Sequence, residues 1–164
     1  MQNIIVSTVG ITPIINSITL LSSSIFGLLA NIKLTKNVHY EEIMNVLNKS
    51  DIEATINLLQ HIIRDISSLP EKDYFSNNNF ILIALQHVKD SIASIETELN
   101  EIKERITYNS TLYVMTNMRS YDLLPNLQRI ETKITVLDRR CEYLFKSLDL
   151  CKHFTHLNIY QSSK

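Results

Sequence analysis

The sequence predicts an all-α protein, an antiparallel four-helix bundle with a short extra helix in one connection, formed by residues 1–164 as a single domain. Three observations predict it. The 164-residue chain is 45% apolar and 20% charged, which excludes a disordered chain and allows a sizeable core. It holds only two glycines and three prolines, too few for the turns of a β-sandwich or a doubly wound α/β fold. Apolar residues recur at alternating spacings of three and four in four separate stretches, the period of a helix packed along one seam.

The first helix is expected over about residues 12–34. Ile14, Ile18, Leu21, Ile25, Leu28 and Ile32 mark its seam, with Thr12 as N-cap and Pro13 in the first turn. Ile15, Leu20, Phe26 and Leu29 widen the apolar stripe. The rest of the helix holds Asn16, Ser17, Thr19, Ser22, Ser23, Ser24 and Asn31, and no ionisable side chain precedes Lys33. A secretory signal lacks its basic leader here, and seven Ser/Thr/Asn residues between Ile14 and Ile32 make a membrane span marginal. A buried bundle helix fits better. Without charge on any face, it also enters lipid more easily than a helix studded with Glu and Lys.

Residues 38–68 follow as two short helices or one bent one. Tyr40, Ile43 and Leu47 share one phase; Ile52, Ile56, Leu59, Ile63 and Ile66 share another. Ser50-Asp51-Ile52-Glu53 matches a capping box between them, and Leu69-Pro70 ends the segment. Residues 70–79 read as a polar loop. The helix of 79–108 carries the longest seam: Ile81, Leu85, Val88, Ile92, Ile95, Leu99, Ile102 and Ile106. Residues 109–126 lose the period and suggest a connection with a short helix. The last helix, 126–154, repeats the signature with Leu127, Ile130, Ile134, Leu137, Cys141, Leu144, Leu148 and Cys151. A strict heptad sustained this long points to coiled-coil-like packing. Both cysteines fall on the seam, about 15 Å apart along the axis, and read as reduced packing residues of an intracellular protein.

Catalytic chemistry finds no support. No HExxH, CxxC, GxSxG or glycine-rich phosphate loop occurs, and no nucleophile has an identifiable base. No glutamate stands three residues before any of the five histidines, against a di-iron bundle. Cys151, His153 and His156 make a poor metal cluster without a fourth ligand, so neither metal nor cofactor is expected. Glu98, Glu101 and Glu104 read as a solvated stripe, and His61 and His87 as partly exposed helix histidines.

Charge is uneven. The net charge is −1, but residues 1–37 carry +2, 38–74 carry −4, 75–110 carry −2 and 111–164 carry +3. Lys33 and Lys36 close the first helix; Arg129, Lys133, Arg139, Arg140, Lys146 and Lys152 decorate the last. Such a surface suits anionic lipid. Nucleic acid is disfavoured, because Glu131, Asp138, Glu142 and Asp149 interrupt the cations.

An uncharged first helix from Val9-Gly10 through Leu29 opens the chain, and a second helical region follows. A third carries Ile83-Ala84-Leu85, Ile92, Ile95-Glu96 and Leu99, and a last carries Leu137-Asp138-Arg139-Arg140, Leu144 and Leu148. In this order of parts the chain resembles the HeLo and mixed-lineage kinase domain-like four-helix bundles at the N-termini of cell-death effectors. The resemblance spans most of the chain and is one of pattern, without a diagnostic motif. It implies a cytoplasmic protein that oligomerises, is recruited to the inner membrane leaflet and permeabilises it through its first helix.

The expectation is therefore a non-enzymatic, membrane-active homo-oligomer. Ile14, Ile18, Leu21, Ile25, Phe26 and Leu28 are its insertion candidates, and Lys33, Lys36, Arg139, Arg140 and Lys146 its headgroup candidates. The alternative is a structural or adaptor protein, such as a small viral or host assembly component, whose seams pack against a protein partner.

Overall fold

A computed structural model describes the backbone of residues 10–35, 39–68, 79–111 and 122–162, with side chains as far as Asn109 and Cys151 in the last two segments. Every regular element among them is a helix: α1 (Ile11–Leu34), α2 (Tyr40–Lys49), α3 (Ile52–Ser68), α4 (Asn79–Thr111) and α5 (Leu124–Ser162). The short helix expected within 109–126 falls on residues 112–121, outside the described ones.

Local chemistry explains the boundaries. Gly10 precedes α1 and supplies no side-chain cap, so Thr12 lies inside the first turn rather than before it. Pro13 is the third helical residue, where an N–H has no intrahelical acceptor to lose. At the other end the backbone N–H of Thr35 reaches the carbonyls of Asn31 and Ile32.

The segment 38–68 is two helices, and the expected capping box is not made. Ser50 closes α2 instead: its hydroxyl donates backward to the carbonyl oxygens of Val46 (2.8 Å) and Leu47 (3.1 Å). Asp51 then adopts φ 47°, the left-handed region that breaks the helix and resets the seam's phase. Its carbonyl accepts the Thr55 N–H at 3.1 Å to start α3.

The predicted seams are the core. Ile18, Ile25, Ile43, Ile56, Leu85, Ile92, Leu99, Ile130, Leu137 and Leu144 are fully buried, and Cys141 and Cys151 are buried with them, neither in a disulfide. Each large aliphatic side chain contributes about 1.5–3 kcal/mol by leaving water. Tyr40 is an exception and stays exposed; Leu21 and Leu148 are half-buried against the core.

Helix α4 has the most extensive contacts. It packs most extensively on α5 along one flank and on α1 along the other, while α3 touches both α1 and α5 and α2 lies on α5. Glu98 meets Arg129, Ser94 meets Lys133 and His87 meets Arg140, so α4 and α5 run antiparallel. Lys49 meets Glu131 and Thr55 meets Asp138, so the chain through α2 and α3 runs in the same direction as α5. Helix α1 is covered by α4 and α3 on one face and open to solvent on the other.

Candidate functional site

Helix α1 is the one helix among the described residues long and apolar enough to cross a membrane. Of its insertion candidates, Ile14, Ile18, Ile25 and Leu28 are buried in the core, and Leu21 and Phe26 are half-buried against it. The open face presents Thr12, Asn16, Thr19, Leu20, Ser23, Gly27, Ala30 and Asn31, with Leu20 72% exposed. None of these can ionise. Several polar groups on and beside this face are bonded to the helix itself. Ser17 donates to Pro13 O (2.9 Å), Thr19 to Ile15 O (3.0 Å), Ser23 to Thr19 O (3.0 Å) and Asn31 Nδ2 to Gly27 O (2.8 Å). A hydroxyl already bonded to a backbone carbonyl loses less on leaving water than a free one.

Among the described residues, two side-chain bonds tie α1 to other helices: Ser24 Oγ donates to Glu96 on α4, and Lys33 Nζ to Glu53 on α3. Between them and the N-terminal half sits Ser22. It is fully buried, and its Oγ finds no hydrogen-bond partner among the described residues.

The headgroup candidates are not gathered in one place. Lys33 is paired with Glu53. Arg140 is half-buried and turned onto α4, donating to His87 O (2.7 Å) and Ser91 Oγ (2.8 Å). Lys146 pairs with Glu142 one turn earlier at 2.6 Å, and both stay exposed. Arg139 is exposed, and Lys36 lies outside the described residues.

The polar cluster that sequence reasoning missed is centred on Glu98. Glu101 and Glu104 are exposed as expected, but Glu98 is only 2% exposed, which corrects the solvated-stripe expectation. Three α5 side chains converge on it. Arg129 Nε donates at 3.0 Å, Lys133 Nζ at 2.8 Å and Asn126 Nδ2 at 2.8 Å. Lys133 also donates to Ser94 O at 3.1 Å, and Arg129 reaches Glu101 at 3.5 Å. Burial pushes the Glu98 carboxyl up from 4.5, but the bonds from Arg129, Lys133 and Asn126 outweigh it and hold the group at about 2. The signal was present in sequence. Asn126, Arg129 and Lys133 step by three and four beside the α5 seam, and Glu98 stands next to Leu99 on the α4 seam. A buried carboxylate so enclosed fixes the register of α4 on α5 and offers no free lone pair to a substrate.

The remaining candidates stay structural. Burial, with Asp138 nearby, raises the Cys141 thiol to about 11, and burial also raises that of Cys151. Such thiols are poor nucleophiles. His61 and His87 are exposed. No group of three or more His, Cys, Asp or Glu that could hold a metal occurs among the described residues, and the side chains of His153 and His156 lie outside them.

No family model, no curated protein and no solved structure matches the chain.

Proposed function

We propose that this protein is a non-enzymatic helical-bundle module, cytoplasmic and recruited to membranes, which oligomerises and permeabilises or docks on them through α1. The single observation that carries the reading is the open face of α1: free of ionisable groups, with the hydroxyls of Thr19 and Ser23 bonded to its own carbonyls. In water that face is merely neutral. Against hydrocarbon it removes the largest obstacle to insertion, since each charged side chain at a membrane centre costs about 2.5–3.5 kcal/mol. Acyl chains replace α4 and α3 around Ile14, Ile18, Ile25 and Leu28, so the apolar face of α1 stays out of water.

In this reading the four long helices form a closed bundle in which each helix reverses the one before it, and α2 is a separate short segment before α3. The resemblance to HeLo-type bundles points the same way. Freeing α1 requires breaking the Ser24–Glu96 and Lys33–Glu53 bonds and leaves the α4–α5 pair clasped by Glu98. Lys33, once released from Glu53, stands at the end of α1 where lipid phosphates are met.

Dye release from vesicles of mixed phosphatidylserine and phosphatidylcholine tests the proposal. The variant is Ser23→Glu/Ala30→Lys, whose changes point to solvent and leave the core intact, with circular dichroism as the check on folding. The wild-type chain should release dye and the folded variant should not. Equal release from both rejects the proposal, and so does a wild type that neither releases dye nor pellets with the vesicles.

A further inference from the structure

The buried seams of α4 and α5 face the core, but a second apolar stripe runs along the outside of the same pair. Val136, Tyr143 and Leu150 on α5 stand seven residues apart, off the buried seam of Leu137, Cys141 and Leu144, and so share one outer face. Phe80 and Ile83 line the facing bank on α4. Phe80, Ile83, Tyr143 and Leu150 are each more than half exposed, and Val136 is exposed with them. The five present roughly 500 Å² of side-chain surface to water, near the largest apolar patch that a monomer ordinarily carries.

Hydrogen bonds across the pair fix which residues are level. Arg140 donates to His87 O and Ser91 Oγ, so Ile83, one turn before His87, is level with Tyr143, about one turn beyond Arg140. Phe80 and Leu150 follow toward the same end. In the other direction Asp90, beside Ser91, is level with Arg139, and Glu101 is level with Arg129, which reaches it at 3.5 Å. Asp90 and Arg139 are both exposed. Gln86 Nε2 donates to Asp90 at 2.8 Å, and Glu142, one turn from Arg139, is paired with Lys146. At these levels α4 presents the complement of what α5 presents: apolar against apolar at one end, carboxylate against guanidinium further along.

A face whose two banks complement each other level by level is matched by its own copy, turned about a two-fold axis parallel to the helices. That rotation preserves height and direction, so α4 of each copy lies antiparallel against α5 of the other. We propose that the protein dimerises in this way through the outer face of α4 and α5. Ile83 of one copy packs on Tyr143 of the second, Phe80 packs on Leu150, and Asp90 pairs with Arg139, each contact being made twice. The apolar patch supplies more than half of the roughly 800 Å² per partner that a stable interface buries, and the charged levels supply its rim. Glu96, which holds Ser24 of α1, stands about 120° round α4 from Asp90, so α1 stays outside the contact. The inference rests on the oligomeric part of the proposed function and names its interface; it does not depend on lipid.

Sedimentation velocity of the full chain without lipid tests it. The wild type should be a dimer at ~100 μM, and Ile83→Lys, a change at an exposed side chain, should be a monomer with unchanged circular dichroism. Asp90→Arg and Arg139→Asp each set like charges against one another at two places and should weaken the dimer about tenfold. An equimolar mixture of those two variants should recover it, because opposite charges then meet at both places. A monomeric wild type overturns the proposal. So does a dimer indifferent to Ile83→Lys, which would place the contact on another surface, or a mixture no tighter than its components. Dye release by Ile83→Lys is a separate readout. A folded monomer that still permeabilises vesicles supports this interface while rejecting oligomerisation as a step in the proposed function.

Discussion

Glu98 shows how much one side chain can decide. Its carboxylate is nearly inaccessible to water, yet three donors from α5 keep it ionised. Because the folded group ionises near 2 rather than 4.5, its contribution is fully present above about pH 4.5 and is lost as the pH falls toward 2. Glu98→Gln should therefore destabilise the fold by about 3 kcal/mol at neutral pH, a gap that closes across that acid window. Urea titrations of both proteins at a series of pH values check the sign and the size. Ser22 poses the opposite case. Its buried hydroxyl finds no acceptor among the described residues, so Ser22→Ala should stabilise the protein by about 1 kcal/mol. A lower melting temperature for that variant would mean that the hydroxyl has a partner after all.

At the scale of the element, the heptads were legible because burial repeats with the helix and an apolar residue on the wrong face is expensive. Ile81 through Ile106 and Leu127 through Cys151 are buried along their length, apart from the half-buried Leu148. Boundaries were less legible, since they depend on single hydrogen bonds that compete on nearly equal terms. Ser50 is as able to donate backward to Val46 as to cap α3 forward, and the structure takes the backward bond. The break between α2 and α3 then rests on Asp51 at φ 47°, a conformation that asparagine, aspartate and glycine tolerate and β-branched residues do not. Asp51→Gly should leave stability level or raise it by about 0.5 kcal/mol, whereas Asp51→Val should lower it by about 1–3 kcal/mol. Thermal melts of the pair separate backbone strain from any role of the carboxylate, which both variants lack.

Across the whole molecule, charge was the least legible quantity. Segment totals count cations but cannot say where each one is spent. The cations expected at a lipid surface divide instead among α3, α4 and neighbouring turns of α5: Lys33 to Glu53, Arg140 to His87 and Ser91, Lys146 to Glu142. The same blindness hid Glu98, whose burial depends on α5 crossing at one register. The absence of charge in α1 was legible because it needs no tertiary knowledge. Its consequence depends on packing: α1 has one open face and takes no part in the Glu98 cluster that clasps α4 to α5. The most direct measurement places an environment-sensitive fluorophore at Ser23→Cys, while native Cys141 and Cys151 remain buried. On adding anionic vesicles, the account predicts a blue shift and quenching by labels carried on the acyl chains. Emission that stays that of a water-exposed dye, while the protein demonstrably releases vesicle contents, would contradict it.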